Sequence, residues 1–157
     1  MPQTMKRKRM TVIVDPAQCT ACRSCELACA VEHSQAKTLK GALGAGEKPR
    51  SRVHVIKRGA KSVPVQCKHC KKPKCVMACP SGALVKDEES GLVLADDLKC
   101  VGCEQCVEEC PFGAISMRPD GKGVIKCDVC IGRVEQGLEP ACVHACPTKA
   151  LLFSGGE

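Results

Sequence analysis

The sequence predicts an α+β fold of short antiparallel strands and short helices. Three observations lead there. Paired apolar runs flank polar turn tips, which reads as hairpins. The stretches between cysteines are short and suit single-turn or two-turn helices. The chain has 157 residues with 16 Cys, no Trp, no Tyr and two Phe. A domain this size that lacks aromatic bulk needs another source of cohesion.

Taken in order, VIVDPAQC reads as an outer strand, and ELACAVEHSQ (26–35) as the first helix. KTLKGALGAGEKPRSR is Gly- and Lys-rich and reads as a loop. VHVIKRGAKSVPVQC alternates in part and reads as an added hairpin. Leu84-Val85 and Leu92-Val93-Leu94 flank the tip Glu89-Ser90-Gly91. Ile115 to Met117 and Val124-Ile125 flank the turn Pro119-Asp120-Gly121, so the plan repeats. EQCVEECP and EPACVHACP read as further short helices, and KALLF as the closing strand.

The cysteines fall into four groups of four with none left over: Cys19, Cys22, Cys25, Cys29; Cys67, Cys70, Cys75, Cys79; Cys100, Cys103, Cys106, Cys110; and Cys127, Cys130, Cys142, Cys146. Disulfides would require an oxidising compartment. The basic residues 6–9 are followed by no apolar leader core, and no run approaches the roughly 20 apolar residues of a membrane span. A cytoplasmic location is therefore expected, although a partner could carry the chain across a membrane. In that setting the thiols are metal ligands. Zinc with four thiolates uses two C-x2-C pairs separated by a loop. The fourth group alone could be read that way. The first and third could not, because a third cysteine follows at once. In C-x2-C-x2-C-x3-C three thiolates wrap one iron–sulfur cubane, and the fourth, a turn further on, faces a second. Pro80, Pro111 and Pro147 follow the last cysteine of the last three groups and redirect the chain, whereas Ala30 follows the first.

With these motifs the chain resembles the four-cluster ferredoxin-like electron-transfer subunits of the dimethyl sulfoxide reductase, formate dehydrogenase and nitrate reductase families. It is similar too to the small subunits of hydrogenase, carbon monoxide dehydrogenase and tungsten aldehyde oxidoreductase complexes. The resemblance covers about residues 11–153. The gap of four between Cys70 and Cys75 and that of eleven between Cys130 and Cys142 are details of that family.

It implies two ferredoxin-like modules, each built around two [4Fe-4S] clusters. One comprises 11–30 with 125–153, the other 64–124. A basic insertion spans 31–63 and a basic arm 1–10. It also implies four ligand sets. Set one is Cys19, Cys22, Cys25 and Cys146. Set two is Cys67, Cys70, Cys75 and Cys110. Set three is Cys79, Cys100, Cys103 and Cys106. Set four is Cys29, Cys127, Cys130 and Cys142. All sixteen positions are Cys, so four [4Fe-4S] centres are expected. The sequence stops just after the fourth group, so the C-terminal membrane helix of some relatives is expected to be lacking, and Met1, Met5 and Met10 are alternative starts.

Charge refines the expected partners. The chain carries +7 with His neutral. Four oxidised centres with their thiolates contribute about −8, which brings the loaded protein near −1. A high isoelectric point is thus no argument for nucleic acid, and the missing aromatics weaken base stacking. Residues 1–75 hold 17 Lys or Arg against 4 Asp or Glu, and residues 76–157 hold 7 against 13. The basic half is either a solvated surface or a docking face for an acidic redox partner. Halves of opposite sign also admit further copies of the chain, stacked head to tail.

His69 and His144 lie inside cysteine groups that already have four thiolates, so hydrogen bonding around a cluster is their expected role. His33 and His54 carry no signal. Glu108-Glu109 and Asp96-Asp97 read as solvated turns. No phosphate loop, dinucleotide fingerprint or substrate pocket is visible. The expected function is a non-catalytic electron-transfer subunit that serves a large tungsten or molybdenum enzyme. A free polyferredoxin and a zinc-binding structural or nucleic-acid module are the alternatives.

Overall fold

The computed structural model describes residues 9–155, so residues 1–8 of the basic arm lie outside the described part. Four two-stranded antiparallel sheets and six short helices make an α+β fold. Strand β1 (Thr11–Val14) is followed by a 3-10 turn at Pro16–Gln18, where the Asp15 carboxylate accepts from the Ala17 N–H at 3.0 Å. Then come α1 (Ser24–Glu32), α2 (Leu39–Gly44), β2 (His54–Arg58), β3 (Lys61–Val65) and α3 (Lys74–Ala78). The second half holds β4 (Leu84–Lys86), β5 (Val93–Ala95), α4 (Gln105–Glu109), β6 (Ser116–Met117) and β7 (Val124–Ile125). It closes with α5 (Ile131–Val134), α6 (Ala141–Ala145) and β8 (Leu151–Ser154).

Three sheets are local hairpins: β2–β3, β4–β5 and β6–β7. The fourth joins the two ends of the described chain, with Thr11 opposite Ser154 and Val14 opposite Leu151. The Asp15 N–H extends that ladder to the Ala150 carbonyl at 2.8 Å. The expected hairpins are all present. One expectation fails: the segment taken for a loop contains α2. Thr38 caps it by accepting from the Gly41 N–H at 3.1 Å, and Ala42 is fully buried. The cap outweighs the two glycines that obscure the helix in the sequence.

The prolines act as expected. Helices α3, α4 and α6 each run five residues and stop at Cys79, Cys110 and Cys146, whose ψ values are 110°, 112° and 113°. The proline that follows excludes helical ψ at those cysteines. No proline follows Cys29, and α1 continues through it for nine residues.

Cysteine takes the place of aromatic bulk in the interior. One apolar cluster gathers Cys25, Cys29, Cys142, Val53, Val55, Val143 and Leu151. A second holds Met10, Leu92, Cys127 and Val129, with Cys67 against it. A third holds Leu84, Val93, Cys106 and Ile115, with Cys75, Cys79 and Cys110 against it. The insertion contributes Val53 and Val55 to the first, so it covers cysteines instead of standing apart.

Candidate iron–sulfur sites

All sixteen cysteines are free thiols. Cys19, Cys22, Cys25 and Cys146 line one cavity, together with Val55, Pro64 and Leu151. Cys79, Cys100, Cys103 and Cys106 line another, together with Leu84, Val101 and Val124. These are sets one and three. In both, three cysteines come from one loop and the fourth from a distant group. In set two, Cys75 lies close enough to Cys67 and Cys110 for their charges to raise its thiol, after burial. In set four, Cys142 lies close enough to Cys127, Cys29 and Cys130 for the same effect.

The loops share a backbone feature that the sequence does not advertise. The residue before the second cysteine of each group has positive φ: Ala21 at 59°, His69 at 46°, Gly102 at 74° and Val129 at 53°. In the first and third groups the residue after that cysteine does so too, with Arg23 at 61° and Glu104 at 62°. Left-handed turns within such loops aim successive N–H groups into a concavity that suits an anion. Several of those donors end on sulfur. The Cys67 Sγ accepts from the His69 N–H at 3.4 Å, and the Cys127 Sγ accepts from the Val129 N–H at 3.3 Å. The Cys110 Sγ accepts from the Ala114 N–H at 3.5 Å. Hydroxyls lie beside three more, with Ser24 at 3.4 Å from Cys22, Ser81 at 3.6 Å from Cys79 and Thr148 at 3.8 Å from Cys146.

Set four has additional polar support. The Arg52 N–H, from the insertion, donates to the Cys29 Sγ at 3.2 Å. The Arg52 guanidinium reaches the Lys126 carbonyl at 3.0 Å and lies 3.8 Å from Asp128. His33 sits 3.6 Å from the Cys29 Sγ and 3.4 Å from the Asp128 carboxylate. Burial disfavours charge on both His33 and Asp128. Their mutual hydrogen bond, together with those of His33 to Cys130 and Cys29 and the Arg52 charge and Cys130 N–H beside Asp128, outweighs it, holding the imidazole well above and the carboxyl well below their ordinary ranges. His33 was expected to carry no signal, so this is a correction. It lies one helical turn beyond Cys29, and only that i, i+4 offset could have flagged it. His144 is exposed, with Glu139 at 3.9 Å, and touches no cysteine sulfur among the described contacts.

The donor chemistry fits iron–sulfur clusters. Burial pushes the Cys25 thiol up to about 11 and the Cys127 thiol up to about 12, and raises Cys142 as well. Such thiols stay protonated alone and become thiolates when a metal binds. A cluster would take the four sulfurs of a set, and the turned-in N–H groups would meet its negative charge.

The comparisons agree on the class. The 4Fe-4S dicluster domain family matches residues 59–155. An iron–sulfur protein of Rhodospirillum rubrum is 38% identical over 92% of this chain and 82% of its own length. One component of the anaerobic dimethyl sulfoxide reductase of Escherichia coli (strain K12) is 36% identical over 89% of this chain and 70% of its own length. One component of the tetrathionate reductase of Salmonella typhimurium is 34% identical over 89% of this chain, which spans just over half (55%) of that relative. The BamBC complex of benzoyl-coenzyme A reductase with 1,5-dienoyl-CoA aligns over 96% of this chain and 79% of its own at a TM-score of 0.49 and 24% identity, a distant likeness of outline. The chain belongs to the 4Fe-4S dicluster family. Within it, the chain is an iron–sulfur electron-transfer subunit of the kind found in oxidoreductase complexes. Among the described residues no helix is long and apolar enough to cross a membrane.

Proposed function

We propose that the chain holds four [4Fe-4S] clusters on the four cysteine sets and relays single electrons between a large catalytic subunit and a further donor or acceptor. The observation that carries this reading is the exchange of a cysteine between groups. Cys146 joins the cavity of Cys19, Cys22 and Cys25, and Cys79 joins that of Cys100, Cys103 and Cys106. A zinc site closed within one group would have no use for that exchange. The clusters would supply one-electron redox chemistry, and the protein tunes each through burial and hydrogen bonds to sulfur.

Neighbouring cysteines suggest an order. Cys142 of set four feels Cys25 of set one, and Cys127 of set four feels Cys67 of set two. Sets two and three share helices, Cys75 and Cys79 bounding α3 and Cys106 and Cys110 bounding α4. The path therefore reads one, four, two, three. Of the sixteen cysteines only Cys22 and Cys103 are exposed, and they belong to its two end sites. Electrons would enter and leave there. The site-three end presents Leu98 and Val101 to solvent, with Asp96, Asp97 and Glu104 around the cavity. The site-one end carries Arg23. Two ends with different linings suit two different docking partners, the catalytic one being of tungsten or molybdenum type, as the family resemblance implies.

The deciding measurement is iron, acid-labile sulfide and zinc per chain on anaerobically purified protein. About 16 iron and 16 sulfide, four of each per centre, are the expected result. About four zinc and no sulfide would overturn the reading.

A further inference from the structure

His69 stands in the loop between Cys67 and Cys70 and is only 4% exposed. Its Nδ1 accepts from the Val93 N–H at 2.9 Å. That bond requires a lone pair on Nδ1, so in the neutral ring the proton sits on Nε2. A ring that accepts at Nδ1 holds no second proton. Lys86 is anchored by the carbonyls of His69, Cys70 and Gly91 at 3.0, 2.9 and 2.7 Å, and the 5% exposed Lys126 by that of Cys127 at 2.9 Å. The ring is thus a fixed Nε2–H donor. Yet Nε2 is the one buried side-chain nitrogen or oxygen among the described residues that has no hydrogen-bond partner. Buried polar groups of that kind are rare and call for an acceptor.

The protein around it offers none. Cys67, at the head of the His69 loop, packs against the apolar cluster of Met10, Leu92, Val129 and Cys127, so a cysteine of set two meets one of set four there. The same loop already turns the His69 backbone N–H onto the Cys67 sulfur. We infer that the Nε2–H of His69 donates a hydrogen bond to a sulfur of a cluster bound where sets two and four adjoin, and that it makes that centre easier to reduce than its neighbours. The inference rests on the four-cluster reading. A donor to sulfur stabilises the more negative, reduced state. With two cationic side chains nearby, it would make the middle of the path a place where an electron rests between the two exposed ends.

The test uses the full chain, prepared anaerobically, as His69→Leu and His69→Gln. Leu removes the donor at similar volume, and Gln replaces it with an amide. Iron and sulfide are counted first, then each midpoint is read by EPR-monitored redox titration. The expected result is unchanged iron and one centre in H69L whose oxidised-to-reduced ratio at a fixed potential rises about tenfold, or about 59 mV for a one-electron couple. H69Q recovers part of that shift. Four midpoints equal to wild type in H69L overturn the inference, as does an equal shift in both variants. Should H69L lose iron, pulsed EPR on protein labelled with 15N-histidine decides. A nitrogen coupling that survives His33→Ala and vanishes in H69Q supports the bond, and no such coupling overturns it. A wild-type chain filled with zinc would overturn the four-cluster reading instead.

Discussion

The residue before the second cysteine of each group carries the same backbone demand in four different side chains. Gly102 meets it freely, whereas Ala21, His69 and Val129 do not. A left-handed L-residue costs roughly 1–2 kcal/mol, so equivalent positions respond to substitution with opposite signs. Ala21→Gly raises thermal stability by about 1 kcal/mol. Gly102→Ala lowers it by more than that, because an added Cβ would stand 2.7 Å from the Gly121 carbonyl oxygen as well as on a φ of +74°. Melting curves of the two variants against wild type check both. This backbone rule was not legible in the sequence, since only one of the four positions is glycine. The cysteines were legible because their chemistry is confined to a few residue types at fixed spacing. His33 was not, because a histidine next to sulfur looks like any other until α1 brings it round to Asp128.

In the proposed ligand sets, short helices hand a ligand from one site to the next. A five-residue helix sets the cysteine near its start and the cysteine after it four residues apart, and the proline beyond locks the second in extended geometry. Under the proposed ligand sets Cys106 and Cys110, from one group, serve different centres. The expected outcome is that Cys103→Ser and Cys110→Ser abolish different EPR signals. Loss of the same signal in both would rule out the exchange. At this scale the sequence was informative for hairpins, whose turn residues are local. It was weaker for α2, whose cap and single buried alanine act through packing. It was silent on α3 and α5, which are too short to show a period. Thinning the insertion's contribution is costly as well. Val55→Ala removes two methyl groups from the core beside Cys25 and Cys29, and a loss of about 1–2 kcal/mol is expected, measurable by denaturant titration.

For the molecule as a whole, charge and cofactor are inseparable. The bare sequence has a pI near 8.7, and four oxidised centres would bring the net charge to about −1 at neutral pH. Isoelectric focusing under anaerobic conditions is therefore expected to place the loaded protein below pH 7, with a basic shift when a chelator and an oxidant strip the iron. An unshifted band would mean the clusters are not there. The pairing of β1 with β8 has a consequence in time. Residues 64–124 contain every cysteine of sets two and three, so a ribosome that has released them has released all the ligands two centres need. Cys19, Cys22, Cys25 and Cys29 have left the tunnel earlier still, but their partners in the proposed sets arrive last. At about 5–20 residues per second, those four thiols wait several seconds for Cys127 to Cys146 and for the strand that closes over them. During that wait they are the part of the nascent chain most open to oxygen and to the wrong metal.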